Sequence, residues 1–165
     1  MIKHILLRTL MMGGTDGIIT VFNIISGIEG SKLNYKYIFI LGLAVLISDA
    51  ISMGTGEFIS VKAEQEYTKS KVNVIPEKNA AVMFISFVCF GTIPLLFYFI
   101  SMKINYKTKY INTYISVILA LFILGVVKSK YTKEKWYISG GGVAIYGGIA
   151  SFLAYNISKL ISSKL

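Results

Sequence analysis

Two carboxylates stand where charge is costly. Asp16 is the only charged residue among the 20 between Arg8 and Glu29, and Asp49 the only one among the 20 between Lys36 and Glu57. Both stretches are otherwise apolar or built of small residues, so both acids are expected at bilayer depth. A carboxylate there costs roughly 2.5–3.5 kcal/mol on insertion scales and therefore faces a bundle interior or a polar pathway. No Lys or Arg lies within these charge-poor stretches to neutralise them. A cation, a proton or a polar cavity must do so.

The residues after Asp49 suggest which cation. On a helix turning about 100° per residue, Met53, Glu57, Ser60 and Glu64 all fall within about 80° of Asp49. Carboxylates supply charge and hard oxygen, and a methionine adds the soft sulfur that suits a transition metal better than an alkali or alkaline-earth ion. Asp16 joins the set if the first two helices face each other. The expected metal ligands are therefore Asp16, Asp49, Met53, Glu57 and Glu64, with Asn23, Ser52 and Ser60 offering neutral oxygens along the path. Met11, Met12, Met83 and Met102 read as packing residues, Cys89 as a small buried hydrophobe, and His4 as an ordinary interfacial residue. With Cys89 the only cysteine, no intrachain disulfide can form.

Positioning such residues takes helices that cross a bilayer, and the chain offers five. Beyond the two stretches above, 79–102, 110–127 and 136–158 run for 24, 18 and 23 residues without a charge. Each approaches or exceeds the roughly 20 apolar residues that a spanning helix needs. The expected fold is an all-α integral membrane bundle with spans at about 9–28, 37–60, 80–102, 110–127 and 136–158. It forms a single domain over residues 1–165. Tyr35, Tyr37, Tyr98, Tyr106, Tyr110, Trp136 and Tyr137 cluster at the span ends, as an interfacial belt does. Residues 1–11 read as an amphipathic lead-in near the membrane surface. The segment 61–79 allows only a helical extension of the second span and a turn near Pro76, so binding chemistry must come from the spans.

Composition agrees. Hydrophobic residues make up 55 % of the 165, mean hydropathy is +0.66, and charged residues are only 15 %, below the roughly 25 % of a soluble domain. The net charge of +9 does not indicate nucleic acid, because the basic residues fall between spans, where anionic headgroups lie. The N-terminus with the loops at 61–79 and 128–135 holds ten Lys and Arg; the opposite side holds seven. The positive-inside rule then places the N-terminus in the cytosol and the C-terminus across the membrane.

Small residues recur at helix-packing spacing: Gly13 and Gly17; Ser48, Ser52, Gly56 and Ser60; Gly140, Ala144 and Gly148. Such rows let helix backbones approach closely in lipid, within one bundle or across a dimer seam.

The motifs GGTDGIITVFNIISGIEGS and SDAISMGTGEFISVKAEQEY resemble the vacuolar iron transporter family, which includes the yeast vacuolar iron/manganese carrier and the plant nodulin-like members. NAAVMFISFVCFGTIPLL, ALFILGVVKSKY and the Gly-rich last span extend the resemblance over almost the whole chain. It implies a homodimer of five-helix protomers, with a metal path between protomers lined by the first two spans. It also implies a transporter, not an enzyme, which moves Fe²⁺ or Mn²⁺ out of the cytosol against protons and has no resident cofactor. The family's span-one aspartate corresponds to Asp16 and its span-two methionine to Met53. Plant vacuolar iron transporters carry a glutamate eight residues before that methionine, where this chain has Val45. Asp49, four residues before it, follows the yeast-like and nodulin-like members. The plant proteins' glutamate-rich cytosolic metal-binding domain is reduced here to about twenty residues containing Glu64, Glu66 and Glu77. PLLPY in many members reads PLLFY, with Phe97 replacing the second proline and Pro94 left to perturb its helix. Residence in a vacuole-like or other intracellular membrane, or in a cell membrane, follows from the same resemblance. A passive cation channel and a non-transporting membrane scaffold are the competing readings.

Overall fold

The computed structural model describes residues 2–68, 74–132 and 134–164. It consists of five helices: α1 (Ile2–Gly30), α2 (Lys36–Thr68), α3 (Pro76–Ile104), α4 (Lys109–Thr132) and α5 (Trp136–Ser162). All five are long and apolar enough to cross a membrane.

The helices overrun the charge-free windows at most ends, because Lys and Glu are good helix formers and do not stop a helix. What stops each is local. Pro76 opens α3 from its first turn, where the missing N–H costs nothing. At the end of α1, Leu33 N–H donates to Ile28 O and Lys32 N–H to Glu29 O, both at 3.2 Å. Lys32 adopts φ 55° there. That is the bond pattern of a Schellman cap, with lysine in the left-handed position glycine usually takes. α3 continues through Pro94, which is buried.

α1 is the hub. It packs against every other helix, while α2, α3, α4 and α5 form an arc around it in chain order. Among the described residues α2 and α5 do not touch, so the arc is open along one side of α1. Burial follows from this plan: 56 % of α1's spanning window is buried, against 28–33 % for the other four. Ile18, Val21, Phe22 and Ile25 of α1 meet Leu46, Phe87, Val117 and Leu121 of the surrounding helices in one core. The outer faces carry Ile, Leu and Phe in quantity, a surface suited to acyl chains and not to water.

Close approach is set by glycine. A Cβ on Gly17 would lie 2.5 Å from Phe87 O and 3.2 Å from Gly91 N, so α1 and α3 meet backbone to backbone. Gly125 and Gly140 do the same for α4 and α5, and Gly13 abuts Ser86 and Met83. Gly148 faces Tyr114 and Ile118, both at 3.2 Å from where its Cβ would be. Gly56 differs, with no neighbour within 4 Å of that position.

Three expectations need correction. The lead-in expected over 1–11 is continuous with α1, which begins at Ile2, and its Thr9 and Met11 are buried in the bundle. Cys89 is exposed, because it shares the outer face of α3 with Ile85 and Leu96. Met12 is 51 % exposed rather than packed, while Met11 and Met83 are buried as expected. The side chain of His4 lies outside the described residues.

Candidate metal path

The opening between α2 and α5 leaves one stripe of α1 only half covered. Thr15, Asp16, Ile19, Thr20, Asn23 and Gly27 are all of intermediate exposure, and Met12 at the head of the stripe is exposed. Their spacing of three and four is one helical face. Its first half adjoins α2, where the charges of Asp16 and Asp49 lie within electrostatic reach of each other. Its second half adjoins α5: Ser151 Oγ donates to Asn23 Oδ1 at 3.0 Å, and Gly27 lies against Ser158. A half-covered stripe with Thr15, Asp16, Thr20 and Asn23 on it thus runs down α1 in the groove left between α2 and α5, which do not touch among the described residues.

The five-residue file on α2 divides. Asp49 and Met53 are half-buried, and Met53 packs against the core. Ser52 and Ser60 are exposed, and Glu64 is exposed about 10 Å beyond Glu57 along the helix. Glu57 is only 7 % exposed. Its Oε1 accepts from Thr9 Oγ1 at 2.9 Å and from Asn79 Nδ2 at 3.4 Å, and Arg8 Nη2 stands 3.8 Å away. One carboxylate oxygen therefore links α1, α2 and α3 at the end where α1 begins. Among the described residues no three His, Cys, Asp or Glu side chains converge as a metal cage. The chain offers the two aspartates and, one turn from Asp49, the Met53 sulfur. Asn23, expected as a neutral oxygen along the path, accepts the Ser151 hydroxyl at 3.0 Å with its second lone pair still available.

A second charged cluster closes the opposite end and was missed in the sequence. Glu29 Oε1 accepts from Lys109 Nζ at 2.8 Å and from the Tyr98 hydroxyl. Lys109 also lies over the Tyr106 and Tyr98 rings, 4.2 and 5.3 Å from their centroids. The only signal was that Glu29 is the single acid at an end with seven lysines. Lys109 is thereby withdrawn from the headgroup layer into the bundle, where it is 8 % exposed. Removing one partner of a fully buried pair costs roughly 3–5 kcal/mol, and this pair is partly wet. Lys109→Met is accordingly expected to lower stability by about 2 kcal/mol, and adding Glu29→Gln should restore part of it. Thermal melting of the detergent-solubilised variants checks both, and additive losses would refute the pairing.

The sequence model of the VIT family matches residues 7–77 and 70–159, so its two parts meet in the connection between α2 and α3. A Plasmodium berghei (strain Anka) protein named vacuolar iron transporter is 26 % identical over 226 positions, covering 95 % of this chain and 82 % of that protein. Vacuolar iron transporter homolog 3 of Arabidopsis thaliana is 28 % identical over 170 positions, covering 95 % and 84 %. Vacuolar iron transporter 1 of Oryza sativa subsp. japonica is 22 % identical over 219 positions, covering 95 % and 86 %. The longer alignments include positions without a counterpart in this chain.

Proposed function

Since this chain belongs to the VIT family, we propose that it transports a divalent transition-metal ion, Fe²⁺ or Mn²⁺, across a membrane and out of the cytosol in exchange for protons. The observation that carries this reading is the juxtaposition of Asp16 and Asp49 across α1 and α2, with Met53 one turn further on. Their two charges match one divalent ion. The sulfur favours a softer transition metal such as Fe²⁺ over Mg²⁺ and Ca²⁺, which take oxygen ligands, while the carboxylates also suit Mn²⁺.

The ion enters at the end where Glu64 is exposed, sheds part of its hydration shell and rests between Asp16, Asp49 and Met53. Glu57 acts at this entrance by holding α1, α2 and α3 in register, through Thr9 and Asn79. Protons compete with the metal for the same carboxylate oxygens, so a proton arriving from the far side releases the ion. Two aspartates and one thioether leave the coordination shell short of ligands. A second protomer packed across the open side of α1 would complete it and shield the groove from lipid, which supports a homodimer. Named relatives from plants and apicomplexans support iron as a cargo and a vacuole-like membrane as a place of work.

Uptake of Fe²⁺, Mn²⁺ and Zn²⁺ into proteoliposomes, with and without an imposed proton gradient, is the test. Fe²⁺ and Mn²⁺ uptake should rise several-fold when the lumen is acidic. Uptake indifferent to the gradient would replace antiport by passive conduction, and absence of flux for all three ions would leave a scaffold.

A further inference from the structure

The outer side of α4 and α5, away from the metal groove, carries two clefts that join. The first, of about 500 Å³, lies at the end where α4 begins and is lined by Lys107, Glu29, Tyr110 and Tyr155, with Tyr114 and Phe152 at its inner limit. The second, of about 420 Å³, starts from the same Tyr114 and Phe152 and continues along Ile118, Ile145, Gly148 and Ile149. Together they form a polar mouth and an apolar trough. From Tyr110 to Ile118 the trough descends about 12 Å, at 1.5 Å per residue. That is most of one leaflet of a hydrocarbon core about 30 Å thick.

Gly148 forms the floor of the trough, where α4 and α5 approach closely: Ile118 and the Tyr114 hydroxyl lie 3.2 Å from where its Cβ would be, and that hydroxyl donates to Gly148 O at 3.4 Å. The rings at the mouth are fixed in place. Tyr110 stacks on Tyr155 with centroids 5.1 Å apart, and the Tyr110 hydroxyl bonds Ser26 Oγ at 3.2 Å.

Charge decides what the mouth accepts. Its one acid, Glu29, is already neutralised by Lys109 at 2.8 Å and bonded by Tyr98. Lys107 is exposed at the rim, at an end of the molecule with six further lysines and no second acid. We propose that the α4–α5 cleft binds one membrane phospholipid with an anionic headgroup, its phosphate at Lys107 and one acyl chain in the trough past Gly148. This site is separate from the metal groove and stands whether or not the transport reading does.

Native mass spectrometry of the full chain in detergent tests it, using palmitoyl-oleoyl phosphatidylglycerol against the phosphatidylcholine with the same chains. Wild-type protein should retain one phosphatidylglycerol per protomer in preference to phosphatidylcholine. Lys107→Gln should reduce that preference about fivefold, the effect of one basic side chain near a charged headgroup. Ile145→Trp, at a lipid-facing position that is 62 % exposed, should narrow the trough and lower retention of both lipids. Lys103→Gln removes a charge at the same end but outside the cleft, where Lys103 lies over the Phe99 ring, and should change neither. Equal retention of the two lipids by wild type would overturn the proposal. So would an equal loss of preference in Lys103→Gln, which would mean diffuse surface charge. A change in protomer number without a change in lipid count in Ile145→Trp would assign the cleft to a second copy of the chain and overturn it too.

Discussion

Asp16→Asn is expected to reduce metal uptake into proteoliposomes by at least about a hundredfold while leaving the protein folded. Asparagine keeps the size and the oxygen of aspartate but not its charge. A unit charge 4 Å from an ion is worth on the order of 4 kcal/mol at an effective dielectric of 20, and each 1.4 kcal/mol is about tenfold in an equilibrium constant. Losing one of two facing carboxylates thus leaves a divalent ion half-neutralised in a setting far from water. The effect on the empty protein has the opposite sign. Whenever both aspartates are ionised and no cation lies between them they repel each other, so removing one charge relieves that repulsion. The metal-free Asp16→Asn variant should melt at the same temperature as wild type or higher. Inactivity together with retained stability separates a ligand role from a structural one. Near-normal uptake by the well-folded variant would end the metal reading.

The sequence announced the five helices because a bilayer imposes long apolar runs, and such runs survive any ambiguity of packing. Asp16 and Asp49 were legible for the same reason, since charge inside an apolar run has few explanations. Periodicity placed Glu57 on the file with Asp49 and Met53, and geometrically that holds. What periodicity could not supply was the neighbour. Glu57 at the edge of that file meets Thr9 and Asn79, residues 48 and 22 positions away. Glu29 and Lys109 form a pair that no local pattern encodes, and each looked like an ordinary span-end charge. Met12 was hidden by its chemistry, because a thioether in an apolar helix is usually packing. Its exposure follows only from the arc leaving one side of α1 open. Small-residue rows carry the same limit: spacing tells which helix face permits close approach, not which helix approaches it.

That limit yields the second strong prediction, a contrast between two glycines that look alike in sequence. Gly17→Leu should prevent recovery of a monodisperse protein from detergent, as judged by size-exclusion chromatography and thermal melting. A Cβ at Gly17 meets Phe87 O at 2.5 Å, and backbone cannot rotate aside as a side chain can. Overpacking costs about 1–3 kcal/mol where neighbours adapt. Here a branched side chain would have to part α1 from α3, the seam that closes the core around Ile18 and Phe87. Gly17→Ala should be intermediate, with folded protein of lowered melting temperature. Gly56→Leu should leave the protomer's melting unchanged, because nothing stands within 4 Å of that position. If the open side of α2 is instead where a second protomer docks, Gly56→Leu should convert the dimer to folded monomers in the same chromatographic run. Equal tolerance of leucine at Gly17 and Gly56 would mean that α1 and α3 do not meet through Gly17, and the placement of Asp16 one residue away would fall with that contact.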